Sequence, residues 1–349
     1  MSLYVDIEKR FKGFSLAVKI ASNGAPLGIL GASGSGKSMT LKCIAGIETP
    51  DSGQIVLNGR TLFDSRKKIN VSPQMRNVGY LFQDYALFPH MTVAQNIGCA
   101  IRGKGAARQE KVEELLARFA LEGLGGRYPR QLSGGQQQRA AVARILAYEP
   151  EVLLLDEPFS ALDEHLKERL QIEMRDLIRE YPGDVVMVTH SRDEVYRLSE
   201  SLLILEGGRV VEMGAVGAVF AKPKHLLSAR LTGCKNLSAA HRVGERMVFA
   251  EDWGCVFVAA APVPAQLTHV GIRAHDFHPA VAGELNAVRI HIEKRVESPF
   301  EWNVLFRAAD GGGEREGGTI WWKYAKASTL TEAPTHLAVD PEVVLLLTD

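Results

Sequence analysis

Residues 31–38 read Gly-Ala-Ser-Gly-Ser-Gly-Lys-Ser, directly after the apolar run Pro26-Leu27-Gly28-Ile29-Leu30 and before a helical stretch, Ser38 to Ala45, that Gly46 stops. No other segment restricts the fold as strongly. The pattern G-x-x-x-x-G-K-[ST] lets bare backbone N–H groups come close to a phosphate, while Lys37 supplies positive charge and the Ser38 hydroxyl can hold Mg²⁺. Gly31, Ala32, Ser33, Gly34, Ser35 and Gly36 form the cradle ahead of those two side chains. A strand, such a loop and a helix, in that order, separate a phosphate loop from a chance match.

The surrounding pattern agrees with an α/β domain. Leu3 to Ile20 alternates apolar and polar residues as short strands do, and strand-like runs recur at 54–57 and 78–82. From about Asp84 to Arg144 the spacing becomes helical. Val152-Leu153-Leu154-Leu155 is a continuous apolar run, as in a parallel strand buried on both faces. Leu166, Leu170, Met174, Leu177 and Tyr181 mark one stripe of an amphipathic helix, and Asp184 to Thr189 forms a further buried strand. Alternating strands and helices predict a mostly parallel sheet. After about Arg230 helical periodicity fades. Segments such as Val288-Ile290-Ile292 and Trp302-Val304-Phe306 alternate instead, with a Gly311-Gly312-Gly313 turn between strands. The expected organisation is a nucleotide-binding domain over 1–230 and an all-β, small-barrel domain over 231–349.

Chemistry-bearing residues fall at the ends of the apolar runs. Asp156 ends one run and can anchor Mg²⁺; Glu157 follows and can orient or deprotonate a water attacking a γ-phosphate. His190 ends the next run and is placed to contact that phosphate. Gln83 ends the run 78–82, where its amide oxygen can reach Mg²⁺ or the water. All lie on the strand edge where open α/β sheets bind ligands. Leu132-Ser133-Gly134-Gly135-Gln136 opens a helix, with the Ser133 hydroxyl and bare glycine N–H groups forming a ready anion site.

Composition excludes several classes. Lys+Arg and Asp+Glu are equal at 41 each, so no basic field points to nucleic acid. The basic run Arg66-Lys67-Lys68 reads as a solvated loop. The four cysteines form no C-x-x-C pair, which fits a reducing compartment and no zinc site. No signal peptide is evident, and no apolar stretch reaches the ~18 residues a membrane helix needs. Any membrane crossing is expected to belong to other chains.

In motif order the first two-thirds of the chain resembles the nucleotide-binding subunit of an ABC transporter. The resemblance makes 31–38 the Walker A loop, Gln83 the Q-loop glutamine, 132–136 the family signature and Val152–Asp156 Walker B. It makes Glu157 the catalytic glutamate, Ser160-Ala161-Leu162-Asp163 the D-loop and His190 the switch histidine. Phe11 stands where the family places an aromatic against adenine, with Phe14 as the alternative. The family fold implied is a P-loop NTPase domain, mostly parallel, with an antiparallel β subdomain and a helical insertion. Its members pair head to tail, so Ser133 and Gly135 of one copy would meet the ATP held by Lys37 of another.

The stretch Phe82-Gln83-Asp84-Tyr85-Ala86-Leu87-Phe88-Pro89-His90 is similar to that of bacterial importers, in which this insertion receives a helix from the membrane subunit. Tyr85, Leu87 and Phe88 would then be contacts, or would simply pack the insertion onto the core. The tail, through Thr232 to Asn236, His269 to Asp276 and Trp321-Trp322-Lys323, resembles the OB-like regulatory barrel of molybdate- and sulfate-type importers. The resemblance implies ATP and Mg²⁺ as cofactors, permease subunits and a solute-binding protein as partners, and a peripheral place on the cytoplasmic membrane face. It also implies an oxyanion, molybdate before sulfate, as the cargo and as a ligand of the tail, where Arg273, Lys323 and nearby histidines are candidates beside plain structural roles. A soluble ABC ATPase acting on ribosomes or DNA is the competing class.

Overall fold

Alternation in the first twenty residues produces a hairpin. β1 (Leu3–Phe11) and β2 (Phe14–Ala21) pair antiparallel from Tyr4↔Ala21 to Phe11↔Phe14. Inward residues such as Val5, Ile7, Leu16 and Val18 are buried. The structure is a computed structural model that describes residues 2–22, 24–160, 162, 164–309, 318–327 and 333–349, with backbone only at Glu164 and His165. The expected Gly311–Gly313 turn lies outside the described residues, as do Ala161 and Asp163 of the D-loop segment.

The chain separates into two units, Met1–Gly217 and Ala218–Asp349. The division falls before the expected boundary at 230/231, and the packing of the intervening residues explains the difference. In the second unit Leu226 donates its N–H to the Thr348 carbonyl and Ala229 is buried against Cys234, Leu345 and Leu347. Helical periodicity reports the element type of 226–231, not the core it joins.

In the first unit, β3 (Leu27–Leu30) leads through the glycine-rich loop to α1 (Lys37–Ala45), which Gly46 caps in the left-handed region. Strands β4 (Ser52–Leu57), β5 (Arg60–Asp64) and β6 (Ile69–Asn70) extend the hairpin antiparallel. There follow β7 (Val78–Leu81), α2 (Val93–Gly98), α3 (Ala106–Arg118) and α4 (Gly134–Leu146). Then come β8 (Val152–Asp156), α5 (Glu164–Glu180), β9 (Asp184–Thr189), α6 (Arg192–Leu198), β10 (Ser201–Glu206) and β11 (Arg209–Ala215).

All eleven strands join one mixed sheet, ordered β6-β5-β4-β1-β2-β11-β10-β3-β9-β8-β7. The β10-β3-β9-β8-β7 set is parallel throughout. Strands β3, β8 and β9 are buried at every position, as a strand covered on both faces must be.

Two sequence expectations shift. The strand ending at Gln83 stops at Leu81, so Phe82 and Gln83 lie beyond it. The segment from Asp84 is not helical until Val93, because Tyr85 and Ala86 take φ of 61° and 44° and turn the chain.

The second unit begins within α7 (Val216–Ala221) and includes α8 (Leu226–Leu231). Its first sheet orders β14 (Cys255–Val258), β13 (Met247–Ala250), β12 (Asn236–Arg242), β15 (His269–Ile272) and β21 (Leu345–Leu347). Its second orders β16 (His278–Ala280), β20 (His336–Ala338), β17 (Val288–Glu297), β18 (Glu301–Ala308) and β19 (Ile320–Ala325). Every pair is antiparallel. Both sheets contribute to one core that holds Trp253, Phe257, Phe277, Phe306 and Trp322. Asn236 ties them together: its side chain accepts from the Trp321 N–H at 2.7 Å and donates to the Trp321 carbonyl at 2.8 Å.

Candidate nucleotide site

The parallel register sets several chain ends level with one another. Leu30 pairs with Thr189 and Asp156 with Val188, so Gly31, Glu157 and His190 leave the sheet within about one residue of each other. This edge of the sheet is where the crevice opens. Gly36 is the N-cap of α1 with φ 102°, and a Cβ there would lie 2.8 Å from Leu16 Cδ1. At Gly31 a Cβ would come within 2.3 Å of the Leu205 carbonyl oxygen. Both positions exclude a side chain, the first by conformation as well as space. α1 has no side-chain cap and no acidic residue in its first turn, so its leading N–H groups and the positive end of its dipole face the loop.

Lys37 is buried, and its ammonium donates to the Gly31 and Ala32 carbonyls at 2.8 and 2.9 Å. Burial lowers its pKa, opposed by the charges of Glu157 and Asp156. The Ser38 hydroxyl donates to Asp156 Oδ1 at 2.7 Å, and the Tyr80 hydroxyl donates to Asp156 Oδ2 at 2.7 Å. Burial, with Asp156 beside it, pushes the Tyr80 phenol pKa up. An alcohol oxygen and a carboxylate oxygen in contact are the hard donors Mg²⁺ prefers, so the residues fit that ion. Gln83 is exposed, and among the described residues no hydrogen bond joins it to Ser38 or Asp156. Two of the three residues expected at the metal are therefore brought into contact, and Gln83 is hydrogen-bonded to neither.

Glu157 adopts φ 46°, uncommon for a side-chain-bearing residue, while its N–H donates to the Val188 carbonyl at 3.0 Å. This turn aims its carboxylate at His190, whose Nδ1 lies 3.4 Å from Glu157 Oε2. The His190 side chain is 59% exposed. Behind it, the buried Glu194 accepts from the Thr189 hydroxyl and pairs with Lys167 Nζ at 2.7 Å, linking β9, α5 and α6. Sequence reading passed over Glu194 and Tyr80. Both sit at positions whose partners only the fold supplies.

Phe11 ends β1 half-exposed, whereas Phe14 packs against the core beside Gly36. Their ring centroids are 6.1 Å apart. Ser133 caps α4 in a reciprocal box: its hydroxyl accepts from the Gln136 N–H, and its own N–H donates to the Gln136 side chain at 3.0 Å. Ser133 is exposed, and its recorded bonds stay within its own helix. Gly135 has a packing reason of its own. A Cβ there would meet Leu170 and Leu166 at 3.0 and 3.1 Å, so glycine lets α4 approach α5.

The insertion loop divides the roles of its aromatic residues. Tyr85 is buried, Leu87 half-buried and Phe88 exposed. Arg144 on α4 donates to the Ala86 and Tyr85 carbonyls and stacks on the Phe88 ring at 5.2 Å. In the second unit, Arg273 bonds the Thr232 and Phe220 carbonyls and Lys323 pairs with Glu301, so both candidate anion donors hold structure. Histidines 241, 269, 275 and 278 each face a carboxylate.

A phosphate loop, a strand-end Asp–Glu pair and a strand-end histidine on one parallel edge define the class: a P-loop nucleoside-triphosphatase. The ABC transporter family matches residues 14–160. The spermidine/putrescine import ATP-binding protein PotA of Oleidesulfovibrio alaskensis is 35% identical over 325 residues, covering 86% of this chain and 85% of that protein. The sulfate/thiosulfate import ATP-binding protein CysA of Caulobacter vibrioides is 39% identical over 281 residues, covering 78% and 80%. The Fe(3+) import ATP-binding protein FbpC of Haemophilus influenzae is 40% identical over 213 residues, covering 60% of each. A dimeric ATP-binding cassette solved with ADP and phosphate covers 61% of this chain and 98% of its own, at TM-score 0.52 and 28% identity. The chain belongs to the family of ABC importer ATP-binding subunits, ATPases that couple ATP hydrolysis to transport. Among the described residues no helix is long and apolar enough to cross a membrane.

Proposed function

We propose that two copies of this chain pair head to tail on the cytoplasmic membrane face and power uptake of an oxyanion, molybdate before sulfate, through permease subunits fed by a solute-binding protein. The observation that carries the paired site is the exposed signature residue Ser133 at the start of α4. Lys37, Ser38, Asp156, Glu157 and His190 gather at one crevice, while Ser133 caps an exposed helix start and bonds only within its own helix. A second copy would lay Ser133, with the N–H groups around Gly135, over the γ-phosphate. Residues 31–36 cradle the phosphates, Lys37 neutralises charge, and the half-exposed Phe11 stacks on adenine. Mg²⁺ held by Ser38 and Asp156, with Gln83 drawn in, would offset the charge on the β- and γ-oxygens. Glu157 takes the proton of the attacking water, and His190 reports the γ-phosphate to it. ATP then favours the closed pair, and ADP does not.

The oxyanion reading is supported by the sulfate/thiosulfate relatives and by the tail's resemblance to an OB-like regulatory barrel. A polyamine cargo is the second reading, favoured by the spermidine/putrescine relative, whose similarity covers 86% of this chain. Calorimetric titration of the full chain with molybdate, tungstate, sulfate and spermidine separates them. Saturable binding of molybdate and tungstate is expected. Binding of spermidine alone favours the second reading, and silence from every oxyanion removes oxyanion sensing by the tail.

A further inference from the structure

Three elements meet on the Asp156 carboxylate. Ser38 on α1 donates to Oδ1, Tyr80 on β7 donates to Oδ2, and the carboxylate itself ends β8. The geometry follows from the strand register. Tyr80 pairs with Leu154 in parallel, so Tyr80, Leu154 and Asp156 share one face of the sheet. Asp156 lies two residues, ~6.6 Å, further along that face, a span the phenol can bridge. Tyr80 is 8% exposed and its ring centroid lies 4.4 Å from that of Phe82, which limits the directions it can take.

A buried phenol needs an acceptor, and any carbonyl would satisfy it. This one instead takes an oxygen of the carboxylate that faces Ser38. With Oδ2 accepting from Tyr80, Oδ1 is the carboxylate oxygen that meets Ser38.

We infer that Tyr80 is a positioning residue for the metal: its hydroxyl selects the Asp156 oxygen that meets a divalent cation and holds that oxygen in place. The inference rests on the reading that Ser38 and Asp156 hold Mg²⁺. Partners behind a metal ligand commonly change metal affinity by about 10- to 100-fold when removed. Tyr80→Phe deletes a single oxygen and keeps the ring.

The test uses the full chain with ADP, so that hydrolysis plays no part, and Mn²⁺ followed by electron paramagnetic resonance. Tyr80→Phe should raise the Mn²⁺ dissociation constant about tenfold and leave ADP affinity in EDTA unchanged. Tyr80→Met, which also lacks the donor, should behave alike and serves if Tyr80→Phe does not fold. An Mn²⁺ affinity within about twofold of the parent, even with a lower melting temperature, would overturn the inference and leave Tyr80 a purely structural role. Asp156→Asn tests the underlying site separately. If that change leaves Mn²⁺ binding intact, the metal reading itself fails, and the Tyr80 inference with it.

Discussion

At the scale of the residue, chemistry concentrates where apolar runs stop. Asp156, Glu157 and His190 could be picked from the sequence because each ends or directly follows a fully buried strand, and a polar residue there has only the sheet edge to occupy. Tyr80 and Glu194 could not be picked. Tyr80 reads as one more large residue in a buried strand, and its partner is 76 positions away. Glu194 reads as a helix-start acid, yet it is buried between Thr189 and Lys167. The Glu157–His190 contact gives the first prediction. Glu157→Gln should slow steady-state phosphate release by about 10²- to 10⁴-fold, while ATP affinity stays close to that of the parent. Equal loss of binding and turnover would assign Glu157 to holding nucleotide instead.

Elements show where periodicity misleads. Residues 84–92 fall within the stretch whose spacing suggests helix but form turns, held by a buried side chain the sequence does not advertise. Asn96 accepts from the Phe88 N–H at 2.8 Å and donates to the Phe88, Met91 and Thr92 carbonyls, with no exposure of its own. It does for this loop what a strand would do for another. Asn96→Ala leaves the Phe88 N–H and the Met91 carbonyl without a partner, while the Phe88 and Thr92 carbonyls keep the Met91 and residue-96 N–H groups, a loss of about 1–3 kcal/mol. Chemical denaturation should show that loss, and hydrogen exchange should show faster exchange at the Phe88 amide. Unchanged exchange there would mean that Arg144, from α4, is the loop's real anchor. The α5 stripe was legible in kind but incomplete: Leu170 and Met174 are buried as expected, and Ile178 joins them.

For the whole molecule, the two units and the exposed α4 start decide what is assembled. The head-to-tail pairing predicts that ATP hydrolysis per chain rises with protein concentration until pairs form. Ser133→Arg puts a bulky cation where a partner's nucleotide would sit. It should abolish that rise and lower turnover by about 10²- to 10³-fold, the weight of one lost donor to developing charge. Nucleotide binding to the single chain, followed by fluorescence, should be unchanged. Normal turnover in Ser133→Arg would place the signature outside the catalytic assembly. The early division of the chain matters here as well, because truncation after residue 230 would strip α8 from the second unit's core and strand it on the first.

Sequence alone determined the phosphate loop, the parallel-strand ends that carry Asp156, Glu157 and His190, and the change to alternating strands in the tail. These are local: glycines that must accept positive φ, apolar runs buried on both faces, and polar residues that end them. Tertiary structure decided the register that sets Gly31, Glu157 and His190 level, the capture of Asp156 by both Ser38 and Tyr80, and the core to which 218–230 belong. It also gave Gly135 and Arg273 structural tasks beside those their motifs suggest. Each of these depends on contacts between residues far apart in the chain, and local patterning carries no record of which distant face will be opposite.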